Sequence, residues 1–157
     1  MQKEHNISTI TQLLREGRED EIFALLEPLH HTEIAEILSN FSEETIISIL
    51  FKFPRQRIAD IFIEFSFNEQ AEIAQLLGTK ELVALLRSLS PDDQADFFNV
   101  LSEEQYDAVL PELALKERED LIKLASYPEG SAGSVMNTDY IAYPQHLTIK
   151  QVLERIR

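Results

Sequence analysis

The sequence predicts an all-α fold, a right-handed superhelical array of short helices, and three observations carry that prediction. Apolar residues recur on a helical template with a 12-residue period. A capping or helix-breaking residue stands at one fixed place in successive copies, and serine fills that place in every second copy from Ser42 to Ser90.

The template is i, i+3, i+4, i+7, the spacing that lines one face of an α-helix. Ile22, Leu25, Leu26 and Leu29 satisfy it, and a shift of one period gives Ile34, Ile37, Leu38 and Phe41. The same frame then holds Ile46, Ile49, Leu50 and Phe53, followed by Ile58, Ile61, Phe62 and Phe65. It returns at Leu82, Leu85, Leu86 and Leu89, and at Tyr106, Val109, Leu110 and Leu113. Two copies are weaker, because Gln70 and Gln94 take the first position ahead of Ile73, Ala74, Leu77 and of Phe97, Phe98, Leu101. Degenerate copies lie at the ends, with Ile10, Leu13 and Leu14 before the run and Leu121, Ile122 and Ala125 after it. At about 100° per residue, one period leaves the stripe about 120° past whole turns, so a continuous helix has no common face to bury. The chain must turn at each repeat.

Turn chemistry agrees. Just ahead of each stripe, at one fixed offset, stand Ser42, Pro54, Ser66, Gly78, Ser90 and Ser102, all cap or breaker residues. Ser66 with Glu69 and Ser102 with Gln105 form capping boxes, and Ser90 is followed by Pro91 at the first helical position and Asp93 at the third. Serine caps at 42, 66 and 90 recur at every second repeat, so two helices form one structural unit, as in armadillo-like solenoids. The burial expected first is that of Ile34, Leu38, Ile46, Leu50, Ile61, Phe62, Leu85, Leu86 and Leu110.

After Ser126 the pattern changes. Pro128, Gly130 and Gly133 punctuate a hinge-like loop, 140–143 reads as a short strand, and Thr148 with Gln151 opens a new helix behind Pro144. The division expected is a helical domain over 1–126, a junction over 127–136 and the start of a second domain over 137–157. That last segment has too few residues for a core of its own, so the natural chain is expected to continue past Arg157.

Composition narrows the function. No stretch reaches the roughly 18 to 20 apolar residues that span a bilayer, and Lys3, Glu4 and His5 replace the apolar region of a secretory signal, so a water-soluble chain is expected. Cysteine is absent, which removes disulfides, thiolate metal sites and a cysteine nucleophile. The net charge is −14, and ten of the 28 acids fall between Ser90 and Asp120 against Lys116 and Arg118 alone. Such a field repels nucleic acid and anionic lipid and favours cations or a basic surface, although a solvated face that maintains solubility accounts for it equally. His30 and His31 lie between repeats as loop residues with no third ligand nearby, and the Gly130–Gly133 segment lacks the Lys and Ser/Thr of a phosphate loop. No enzyme is expected.

One acid pair stands out. Asp92 and Asp96 are i, i+4 neighbours on the face opposite the apolar stripe, and Asp60 holds the frame position of Asp96 three repeats earlier. Like charges at that spacing repel, and a divalent cation would turn the repulsion into ligation. Complementing the helix macrodipole is an equally ordinary role for Asp92.

The acidic repeat array, the segment Leu89-Ser90-Pro91-Asp92-Asp93-Gln94-Ala95-Asp96 and the junction from Tyr127 to Met136 together resemble the cytoplasmic N domain of MgtE-type magnesium transporters. The resemblance implies that 137–157 begins the first of two α/β CBS modules. It also implies a regulatory role, in which acids at the N domain to CBS interface hold Mg2+ and favour the closed channel. By motif match Asp92 and Asp96 are the implied ligands, with Asp60 a fainter one. The implied partners are Mg2+, the CBS pair and transmembrane domain of the same polypeptide, and a second copy in a homodimer, with no nucleic acid. The implied location is the cytoplasmic portion of a cell-membrane protein. A different class of function, a helical scaffold like the domains of the flagellar rotor protein FliG, remains the alternative.

Overall fold

The structure, a computed structural model, describes residues 2–128, 130–133, 136 and 142–156. All regular structure among them is helical. The elements run α1 (Gln2–Glu16), α2 (Glu19–Leu26), α3 (His31–Leu38), α4 (Glu43–Leu50), α5 (Arg55–Phe62), α6 (Phe67–Leu76), α7 (Thr79–Leu86), α8 (Pro91–Val100) and α9 (Glu103–Val109). A 3₁₀ turn (Leu110–Glu112), α10 (Leu115–Ala125) and α11 (Ile149–Ile156) follow.

The cap positions keep strict time. Helices α2 to α10 start from Arg18, His30, Ser42, Pro54, Ser66, Gly78, Ser90, Ser102 and Ala114, each one full repeat after the last. At Ser66 and Ser102 the boxes close in both directions: the Ser66 amide donates to Glu69 Oε2 at 2.9 Å, and the Ser102 amide to Gln105 Oε1 at 3.2 Å. Gly78 and Ala114 have no side-chain acceptor to offer. There the third-position glutamate supplies the whole device by itself, taking the cap amide at 2.7 Å in Glu81 and 2.8 Å in Glu117. His30 is not the plain loop residue expected but the cap of α3, accepting from the Thr32 amide through Nδ1, while its neighbour His31 is the first helical residue. The turn out of α1 is a Schellman motif. Gly17 takes φ +70°, its amide donates to Leu14 O at 3.2 Å, and the Arg18 amide donates to Leu13 O at 2.9 Å.

Packing follows a skip rule. From α1 to α8, each helix rests on the helix two further along the chain, so odd and even helices form two rows. The stripes of both rows merge into one core from Ile10 to Leu121, with Phe62 set edge-on against Phe97 at 4.9 Å between ring centres. Ile34, Leu38, Ile46, Leu50, Ile61, Phe62, Leu85 and Leu86 are all buried as expected. Leu110 is not: Pro111 has no amide to continue α9, the chain tightens into the 3₁₀ turn, and Leu110 is left only partly covered at the edge of the core.

The weaker copies have a physical explanation. Gln70 donates through Nε2 to Phe65 O at 2.8 Å, and Gln94 does the same to Leu89 O at 2.9 Å. Arg118, two repeats beyond Gln94, reaches Leu113 O at 3.5 Å through Nη2. In these three even-row helices the first stripe position ties down a carbonyl just before its own cap rather than filling the core.

In the hinge-like segment after Ser126 the Ser131 amide donates to Pro128 O at 3.1 Å and the Met136 amide to Gly133 O at 3.3 Å. Of the expected strand, residues 140 and 141 lie outside the described residues, and Ala142 and Tyr143 carry no regular structure. Thr148 and Gln151 cap α11 as expected, the Thr148 amide donating to Gln151 Oε1 at 2.9 Å.

Candidate metal centre

The start of α8 is built by one serine and one proline. Pro91 fits the first helical position because its missing amide has no intrahelical partner there, and its ring is buried. Ser90 Oγ accepts from the Asp93 amide at 3.4 Å and lies against both Asp93 Oδ2 and Asp92 Oδ1, the latter at 2.7 Å. A hydroxyl has a single hydrogen, so the two carboxylates share it. Asp92 Oδ2 has no hydrogen-bond partner among the described residues.

The three expected ligands fall in different settings. Asp96 is exposed one turn beyond Asp92. Asp92 is half-buried rather than fully in solvent, because the Ser90 contact draws it towards the cap. Asp60, also half-buried, rides on α5 in the odd row, whereas Asp92 and Asp96 ride on α8 in the even row. The fold therefore brings Asp92 and Asp96 together and leaves Asp60 on the other row. Among the described residues no three histidine, aspartate or glutamate side chains converge as a metal-holding group. Mg2+ accepts carboxylate oxygens and keeps several waters, so a partial shell of two carboxylates is compatible with it, provided another surface completes the site.

Beside this helix start lies a cleft of about 420 Å³ between α7, α8 and α10, lined by Leu86, Arg87, Pro91, Gln94, Glu117 and Asp120 among others. Arg87 spans it, donating through Nη2 to Glu112 O at 3.1 Å and to Glu117 Oε2 at 3.3 Å. The Ala114 amide first, and Arg87 with it, hold the Glu117 carboxyl below its ordinary pKa. Asp120 adds a carboxylate to the same wall as Pro91 and Gln94. The 12-residue pattern gives no sign of either residue, since both sit off the apolar stripe.

No helix among the described residues is long and apolar enough to cross a membrane. No curated protein matches the chain. Solved structures share its fold, two of them magnesium-transport proteins. A crystal structure of the soluble part of a magnesium transporter is 19% identical, with a TM-score of 0.74 over 97% of this chain and 60% of that one. The cytosolic domain of the Mg2+ channel MgtE in complex with ATP is 25% identical, with a TM-score of 0.78 over 96% of this chain and 62% of that one. This chain thus spans about three fifths of the length of either structure. Residues 29–130 match the MgtE intracellular N domain, and with that match running over well more than half of its length, the chain belongs to that family.

Proposed function

We propose that this chain is the regulatory, magnesium-sensing cytoplasmic part of a magnesium transporter. The observation that carries the reading is the family match over residues 29–130, a family of transporter domains rather than enzymes. In this reading Asp92 and Asp96 offer Mg2+ two carboxylates from one turn of α8, and Asp60 contributes at a separate place on the odd row. The remaining ligands come from a CBS pair that begins at 137–157, and the right-handed winding of the helical rows presents the acidic face to that pair. An ion held between two domains stabilises the arrangement in which both touch it, by its differential affinity for that state. The closed channel of a homodimeric transporter is that state here. Two carboxylates on one helix turn bind weakly, which suits a sensor of an abundant ion.

The helix end itself sets the strength of the site. The macrodipole places partial positive charge where Asp92 stands, which favours the carboxylate and opposes a cation. Occupancy thus depends on the second domain delivering further negative charge. The test uses the polypeptide extended through its CBS pair, followed by small-angle scattering with and without millimolar Mg2+. Wild type compacts with the ion, and Asp92→Ala combined with Asp96→Ala abolishes the response while helicity and melting stay nearly unchanged. A double variant that compacts as wild type does would overturn the assignment of these two aspartates, and a wild type that does not respond to the ion would favour the helical scaffold reading.

A further inference from the structure

An apolar groove of about 350 Å³ opens between the α4–α5 connection and α7. Its floor is Phe53, Ile58 and Leu85, each less than a tenth exposed, with Ala84 beside them and Phe51 at the rim, 40% exposed. A trough of this size lies within the range of ligand pockets. Arg55, at the first position of α5, and Lys80, at the second position of α7, also line it.

The two cations are the informative part. The chain has 28 acids against 14 lysines and arginines, and Lys3, Arg18, Lys52, Arg57 and Arg87 each meet a carboxylate. Arg55 and Lys80 meet none among the described residues, which is equally true of Arg15, Lys116, Arg118, Lys123, Lys150 and Arg155; what sets these two apart is that both line an apolar groove. Both occupy helix N-terminal turns, the end that disfavours positive charge, so the fold gains nothing from them there. The one carboxylate at the edge, Glu81, is engaged with the Gly78 amide at 2.7 Å.

We propose that this groove docks an acidic amphipathic helix of a partner protein. The apolar row of that helix fills the trough over Phe53, Ile58 and Leu85, and its carboxylates pair with Arg55 and Lys80. This is the helix-in-groove mode, in which anchors at i, i+3, i+4 and i+7 supply affinity and charges at the rim supply orientation and choice of partner.

The experiment sets the groove against the overall field. Two short helical peptides share leucines at i, i+3, i+4 and i+7, one with a glutamate polar face and the other with lysine. Each is titrated with the 157-residue protein and followed by fluorescence anisotropy at about 0.15 M salt. The net charge of −14 by itself favours the lysine peptide. The groove predicts the opposite preference, and a loss of about tenfold in glutamate-peptide affinity when Arg55→Glu and Lys80→Glu are combined. That double variant places acids at two helix N-termini and should fold at least as stably as wild type, which a thermal melt checks. Phe51→Ser weakens the same peptide without a change of charge. Preference for the lysine peptide, binding of neither peptide, or undiminished glutamate-peptide binding by the charge-reversed variant each overturns the proposal.

Discussion

The side-chain amide of Gln105 donates to the carbonyl oxygen of Ala74 at 2.6 Å, tying the first turn of α9 to the end of α6. The other end of the same side chain, Oε1, accepts from the Ser102 amide and completes the α9 cap. One residue thus serves a local and a long-range purpose. Gln105→Glu separates them, because glutamate is as good a capping-box residue but sets a carboxylate oxygen against the Ala74 carbonyl. The expected cost is about 1–3 kcal/mol in urea unfolding. An unchanged midpoint would show that only the cap matters.

Leu86 and Ile122 hold the same place in the 12-residue frame, yet Leu86 is 1% exposed and Ile122 is 41% exposed. Leu86→Ala should cost about 2–5 kcal/mol through the cavity it leaves. Ile122→Ala should stay within about 0.5 kcal/mol, since surface changes of this kind rarely exceed that. Equal shifts in thermal unfolding would contradict the two-row packing.

That contrast marks the limit of what periodicity conveys. The caps at Ser66, Ser90 and Ser102 were legible because an N-cap is a local device, written in one serine and one residue three places on, whereas Ser42 stands at the cap position of α4 but makes no side-chain cap bond. Ile122 reads as core because its frame position is right. It is exposed because no helix described after α10 continues the even row to cover it. Gln70 and Gln94 look like lapses in the stripe, since nothing local shows that a carbonyl awaits them. The placing of Asp92 and Asp96 one turn apart on α8 was readable from i, i+4 spacing. The pull of Ser90 on Asp92 was not, because Asp93 was the expected partner of that hydroxyl.

Acid should weaken the fold in a defined window. Burial opposes ionisation of Glu69, but hydrogen bonds from the Ser39 and Ser66 hydroxyls and the Ser66 amide outweigh it, so its pKa is lowered; Glu117 is lowered by the Ala114 amide and Arg87. A carboxyl whose pKa is depressed on folding stabilises the protein above its unfolded value, about 4.3, and loses that contribution as pH falls through the folded value. Stability should therefore decline below about pH 4.3. Glu69→Gln with Glu117→Gln should flatten that decline, read from urea midpoints against pH, and an unaltered slope would exclude these two groups as its source.

Gly17 and Gly133 are held for different reasons. Gly17→Ala forces a left-handed residue at φ +70° and should cost about 1–2 kcal/mol, although a methyl group there meets nothing. At Gly133 the added carbon would press into the ring of Tyr127. Gly133→Ala should thus shift the Tyr127 ring resonances in NMR while leaving the melting of α1–α10 in place. Unshifted resonances would mean the ring does not lie over that glycine.

The skip rule also sets how the chain can reach its fold. Since each helix rests on one only two helices away, the frequent tertiary contacts join residues about two repeats apart, and no closing of a long loop must precede them. Chains of this low contact order fold on the microsecond to millisecond scale, and ordering can begin at any helix pair and spread in both directions. Damage to one pair, such as α6 with α8, should slow or melt its immediate neighbours while distant helices still protect their amides from hydrogen exchange.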